Sequence, residues 1–336
     1  MARGKPPIST LTWSMREVLE PGTPATAVTC ALGRIMVAGE RIFRIMPGTW
    51  DVQMRGLPEG LELPLSIAME PRPPFRIAIG PESGDAVIFT DTSNATSITG
   101  HAFTETPGSK QARQLAWVVN EGQSSLFART DDGLLYRMQA EGWEVPQLPP
   151  VHAIAHDEQG GFGALTVVDG VPKVFLTYDG GATWQIRPLG VEVEAAPDAP
   201  AFLALAGAAV AVVVGDSGPL VSRGPDQVTT RYPALSRAFA LAFHGFDEDA
   251  WIYAALRRTE VEPAAMWLLD AAGGTLKVME FLADDEEPLE VGPIAWDSAR
   301  TALMVASRGG LVAMAPEMPK PKRASRAGKP KKPVLQ

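Results

Sequence analysis

Few residues of this chain are spaced as catalytic or metal-binding groups must be. His152 and His156 lie four apart, and Asp157 follows. On a strand, even spacing sets both imidazoles on one face, which is the start of a metal site. A zinc site needs three or four protein ligands, and nothing at ligand spacing completes this one, so both histidines are expected to be hydrogen-bonded structural groups. The acidic runs Asp247-Glu248-Asp249 and Asp284-Asp285-Glu286-Glu287 offer hard oxygen atoms to calcium. They lack the alternating ligands and the glycine of a calcium loop and read as solvated loops. The chain contains no P-loop, no G-x-G-x-x-G opening a helix and no G-x-S-x-G nucleophile elbow. Its single cysteine, Cys30, excludes an intramolecular disulfide framework and a cysteine-based zinc site. No catalytic residue, metal site or cofactor is assigned from these residues.

The most specific pattern is Thr177-Tyr178-Asp179-Gly180-Gly181-Ala182-Thr183-Trp184. Its chemistry is that of a tight turn. A carboxylate at Asp179 can accept backbone N–H bonds, Gly180 and Gly181 can take positive φ, and Trp184 can anchor the turn by packing inward. The elements around it are short. Apolar runs of four to eight residues recur along the chain, separated by Gly, Pro, Asp and Asn, which predicts an all-β protein of many short strands. Ala199 to Gly215 carries no charge, but it is short for a membrane helix, which needs about 20 residues, and Pro200 and Gly207 interrupt it. It reads as two buried strands around a turn.

The Thr177–Trp184 stretch matches S/T-x-D-x-G-x-T-W and so resembles the Asp-box, or BNR, repeat of sialidase-like β-propellers, where the motif occupies the hairpin between the third and fourth strands of a blade. On that resemblance Thr177, Asp179, Gly181, Thr183 and Trp184 are structural. Decayed copies stand at matching places: Ile42–Met46 before Gly48–Val52, Ile88–Asp91 before Ala95–Ile98, Leu135–Met138 before Gly142–Val145, and Leu268–Asp270 before Gly273–Val278. Innermost strands are placed near Pro24, Leu63, Arg113, Pro150, Pro200, Ser236 and Glu290, a spacing expected of four-stranded propeller blades. The expected fold is a single seven-bladed β-propeller of the sialidase-like and WD40/YVTN kind, spanning residues 1–317. Ser9–Ser14 supplies the missing fourth strand of the last blade and closes the ring, which pairs edges that would otherwise be exposed. The resemblance implies little about activity. The arginine triad, Tyr/Glu pair and acid of a sialidase cannot be assigned, and no residue singles out the photosystem-assembly factors of plants and cyanobacteria that share such repeats.

Spacing between successive blades alternates short and long. The extra residues fall at His101–Ala112, Leu189–Ala199 and Ala283–Pro288, all on connections that cross one face. Long loops on a rigid scaffold tend to carry function. Here they hold Glu192, Glu194 and Asp198, and then Asp284, Asp285, Glu286 and Glu287, as candidate partner-binding residues.

With 46% hydrophobic and 21% charged residues the chain can bury a sizeable core. Its formal charge of −9 hides an asymmetry. Residues 318–336 hold Lys320, Lys322, Arg323, Arg326, Lys329, Lys331 and Lys332 with no acid and four prolines, a composition expected to stay disordered. Residues 1–317 therefore carry a net −16. The tail suits a polyanion such as nucleic acid, although it lacks the interleaved aromatics that stack bases. With no export signal and one cysteine, a cytoplasmic protein is expected, and the Ala-, Gly-, Pro- and Arg-rich composition suggests a bacterial source. Function is expected to be that of a non-catalytic scaffold or sensor holding protein partners, within a multi-protein complex. The alternatives are a hydrolase or lyase acting on a glycan or small molecule at the channel mouth, and polyanion binding through the tail.

Overall fold

The computed structural model describes residues 12–57, 64–81, 87–90, 101–102, 112–120, 122–139, 142–194, 196, 199–224, 228–244, 250–260, 262–270, 273–281, 291–307 and 309–317. They form seven four-stranded antiparallel sheets and a single 3-10 turn, Pro233–Leu235. β1 (Thr12–Glu17) comes first. Four-strand groups follow: β2 (Ala27–Ala31), β3 (Arg34–Ala38), β4 (Ile42–Ile45) and β5 (Val52–Arg55), then β6 (Pro64–Met69), β7 (Arg76–Pro81), β8 (Val87–Thr90) and β9 (His101–Ala102). The third and fourth sheets are β10 (Ala112–Asn120), β11 (Gln123–Thr130), β12 (Leu135–Gln139) and β13 (Gly142–Glu144), then β14 (Val151–His156), β15 (Phe162–Val168), β16 (Val171–Thr177) and β17 (Gln185–Pro188). The fifth and sixth are β18 (Ala201–Ala206), β19 (Ala209–Val214), β20 (Leu220–Ser222) and β21 (Thr230–Arg231), then β22 (Ala238–His244), β23 (Trp251–Leu256), β24 (Ala264–Leu269) and β25 (Thr275–Phe281). The seventh joins β26 (Val291–Asp297), β27 (Ala302–Ser307) and β28 (Gly310–Glu317) to β1, in the order β1-β28-β27-β26.

The innermost strands β2, β6, β10, β14, β18, β22 and β26 each pack on the next, and β26 packs back on β2. This is a β-propeller arrangement. Buried clusters lie between neighbouring sheets, each drawing residues from two successive ones. One holds Ile252 and Leu241 against Val213 and Val221, and another holds Met304 and Leu311 against Ile35 and Ile45. Each sheet buries both faces in this stack, so its inner strands read as continuous apolar runs, such as Ala-Val-Ala-Val-Val-Val in β19, with every residue buried. The charge-free stretch after Ala199 is β18, a turn at Gly207 and β19, as its prolines and glycines predict. No helix among the described residues is long and apolar enough to cross a membrane.

Two boundaries differ from the sequence reading. The closing strand runs on to Glu17, pairing Thr12 with Glu317 through Glu17 with Val312, and residues 9–11 lie outside the described residues. Its side chains are mostly exposed, so no apolar run marked its end at Met15-Arg16-Glu17. In the second sheet His101 and Ala102 pair with Ile88 and Val87 as the outermost strand. They are therefore not part of the long loop, and Ala112 opens β10. Ala95–Ile98 and residues 103–111 lie outside the described residues.

Candidate functional site

Antiparallel order divides the connections between two faces. Turns between first and second strands, and between third and fourth, lie on a lower face. Connections from one sheet's outermost strand to the next sheet's innermost strand lie on the upper face. The Thr177–Trp184 turn joins β16 to β17, third strand to fourth, and so is on the lower face. Asp179 Oδ1 accepts from Thr183 N–H at 2.9 Å and from Thr177 Oγ1 at 2.7 Å, while Oδ2 accepts from Thr183 Oγ1. Gly181 N–H donates to Thr177 Oγ1. Desolvation acts against the Asp179 carboxylate, but these donors outweigh it and hold its pKa well below the usual carboxylate range. Gly181 has φ of 95°, and a Cβ there would press on the Phe127 ring at 3.1 Å, so two constraints require glycine. Trp184 meets Phe127 and Phe162 edge-on, with ring centroids 6.4 and 6.0 Å away, and packs against the core between the third and fourth sheets. The related turn after β24 keeps the same carboxylate geometry, with Asp270 Oδ1 accepting from Gly274 N–H at 2.7 Å.

On the upper face, the connection after β17 is pinned rather than free. Leu189 and Val193 are buried, and their N–H groups donate to Pro172 and Gly170 carbonyls. Glu192 and Glu194 alternate with them and are exposed. Asp198 and the run Asp284-Asp285-Glu286-Glu287 lie outside the described residues, as do Asp247–Asp249 and the basic residues Lys320 to Lys332. Glu317, the last described residue, ends β28 at the lower face, because β28 runs in the same direction as β26.

The innermost strands enclose a central channel with a cavity of about 570 Å³. Its wall is largely apolar, with Ile67, Leu115, Leu205, Leu241, Phe243 and Ile294 among the lining residues. At the lower end stand Cys30, His156, Asp157 and Glu158. Glu158 reaches across the channel to accept from Ser298 Oγ on the turn after β26, while its Oε1 is buried with no hydrogen-bond partner. Burial pushes the Glu158 pKa up, against the Ser298 hydrogen bond, and the charges of Asp297 and Asp157 push it further in the same direction. Asp157 Oδ2 accepts from Gly207 N–H, tying the fourth sheet to the fifth. Burial, then Asp297 and Glu158, raises the Cys30 thiol pKa, which suits an inert thiol rather than a nucleophile.

His152 and His156 stand at opposite ends of β14, and a register shift between Val151 and Ala153 takes His152 out of phase with the rest of the strand. The one-face expectation from even spacing therefore fails, and no group of three metal-ligating residues occurs among the described residues. Burial lowers the pKa of both, with Arg129 adding to the effect at His152 and Asp157 opposing it at His156.

That register shift recurs. β6, β10, β22 and β26 carry irregularities at the same place, skipping Leu65, Arg113, Phe239 and the pair Gly292-Pro293. A bulge re-aims a side chain and bends its strand, and these bulged residues line the channel. Their place near the start of each innermost strand is the upper mouth. Sequence reasoning missed this annulus. Its one legible signal was Arg113, a charge inside an otherwise apolar innermost run.

No family model matches the chain, and no curated protein matches it. Among solved structures, Raptor from Chaetomium thermophilum superposes with a TM-score of 0.61 at 14% identity, covering 93% of this chain and 30% of that one. A structure of YCF48 bound to D1 peptide gives 0.60 at 14% identity, covering 93% of this chain and 99% of that one. The chain thus spans under a third of the Raptor chain and nearly all of the YCF48 chain. At this identity the likeness is one of fold.

Proposed function

We propose that this chain is a seven-bladed Asp-box propeller, closed by its N-terminal strand, that serves as a non-catalytic protein-interaction scaffold in the cytoplasm. Its body is 1–317, and 318–336 is a separate basic tail. The partner is held on the upper face. The observation that supports this most is the 189–194 connection, where buried Leu189 and Val193 fix the backbone and present Glu192 and Glu194 to solvent. An ordered, outward-facing acidic loop suits recognition, because its ordering cost is already met in the unbound protein. The YCF48 structure bound to D1 peptide, matched over 93% of this chain and 99% of its own, supplies a neighbour of similar fold that holds a peptide.

The test substitutes Glu192→Ala and Glu194→Ala, which keeps the buried Leu189 and Val193 in place, and deletes 283–288, one change at a time and then together, and captures partners from the native host. Folding should persist and capture should be lost in the combined variant. Capture that survives all of these changes would refute the upper-face reading.

A further inference from the structure

The channel has chemistry that partner docking on the acidic loops does not use, and the inference drawn from it does not depend on that docking. An apolar cavity of about 570 Å³ falls within the roughly 300–1,000 Å³ of small-molecule sites, which are mainly apolar with a few convergent polar groups. Apolar walls open to water at a mouth are a standing source of binding free energy.

The polar groups at the two ends differ in sign. The lower end is acidic, with Asp157 and Glu158. At the upper mouth the bulge at Arg113 places an exposed guanidinium on the channel wall. Among the described residues Arg113 makes no hydrogen bond or ion pair. The adjacent strand brings Arg129, paired in register with Gln114 and held by a 2.7 Å bond from Nε to the Val151 carbonyl. Burial, then the charge of Arg113, lowers the Arg129 pKa, while Asp131 and Asp132 on the following turn raise it, so Arg129 already has carboxylates nearby and Arg113 is the cation that lines the channel. An exposed guanidinium on the wall of an apolar cavity is a ready partner for a carboxylate. On the other side of the mouth Phe202 and Phe239 meet edge-on at 6.3 Å, and Pro293 continues this apolar sector.

We propose that the channel binds an amphipathic carboxylate, its apolar chain seated between the innermost strands and its carboxylate at the upper mouth on Arg113. The acidic lower end rejects the opposite orientation, and a shorter chain buries less of the apolar wall and binds more weakly.

The test is isothermal titration of the full chain with octanoate, butanoate, octanol and octylammonium. Octanoate should bind, and affinity should rise roughly fourfold per methylene from butanoate. Octylammonium should bind far more weakly than octanoate. Arg113→Ala, at an exposed position where folding is not at stake, should weaken octanoate about ten- to hundredfold and leave octanol unchanged, while Arg113→Lys should recover part of the loss. The proposal is overturned if octanoate gives no binding, if octylammonium matches it, or if Arg113→Ala leaves it unchanged. It is also overturned if only a peptide with a free apolar C-terminus binds and its amidated form does not, since the site would then read a chain end.

Discussion

Removing the Arg300 side chain should loosen the joint where the ring closes. Arg300 belongs to the turn after β26, in the last sheet, yet most of its donors serve the first. Nη1 donates to the Gly33 carbonyl at 2.8 Å, Nε and Nη2 to the Thr49 carbonyl at 3.1 and 2.7 Å, and Nη2 also to the Met46 carbonyl. Nη1 pairs with Asp297 Oδ2 at 2.5 Å, and the side chains are 8% and 0% exposed. The guanidinium also lies 5.0 Å from the Trp50 ring centre. In Arg300→Ala the Asp297 carboxylate stays buried without its cation, and removing one partner of a buried pair costs about 3–5 kcal/mol. At roughly 2 °C per kcal/mol for a domain of this size, the thermal midpoint should fall by about 6–10 °C, read by circular dichroism or calorimetry. Proteolysis should become faster first at the 46–51 turn. A midpoint within a degree of wild type would refute the argument. So would full recovery in Arg300→Lys, which cannot reproduce the fork of donors.

Asp179→Ala should cost about 1–3 kcal/mol through its lost charge-assisted bonds, with faster hydrogen exchange over 177–185. Because the folded Asp179 pKa is depressed, its contribution is complete above the unfolded value of about 3.9 and disappears as pH falls through the folded value. The gap between wild type and variant should therefore be constant from pH 5 to 8 and narrow below pH 4. Glu158→Gln should raise the thermal midpoint at pH 8 and not at pH 4. The raised carboxylate penalises the folded state only above its ordinary pKa of about 4.3, so an equal shift at both pH values would contradict the assignment. Comparing residues 1–317 with the full chain on single-stranded RNA should place salt-sensitive retention in the tail. A log–log salt slope of up to about −5 would fit seven phosphate contacts, and equal retention by both forms would exclude the tail.

Much of the fold was legible because its signals are local. Apolar runs such as Ala209–Val214, set off by Gly207 and Gly215, declare a strand flanked by turns whatever lies beside them. The first strand of the second group was predicted near Leu63 and begins at Pro64, and that of the fourth was predicted near Pro150 and begins at Val151. The outer strands were harder. β1 is mostly exposed and β9 has two residues, so neither needs the apolar pattern by which strands are read. The bulges that aim Leu65, Arg113 and Phe239 at the channel mouth are one-residue slips in pairing, and they leave no trace in composition or period.

By itself, the sequence determined the chemistry available at each turn and the repeat that stacks sheet upon sheet, because hydrogen-bonded turns and buried strands act over a few residues. Thr177, Asp179 and Thr183 meet within one turn, and their bonds follow from their spacing. Only the closed ring brought Glu158 to Ser298, 140 residues on, and Arg300 to Met46 and Thr49. It also separated His152 from His156 at the two ends of one strand and gathered Arg113, Phe202 and Phe239 around one mouth. Those meetings depend on every sheet between them taking its place around a common axis, which no local pattern encodes.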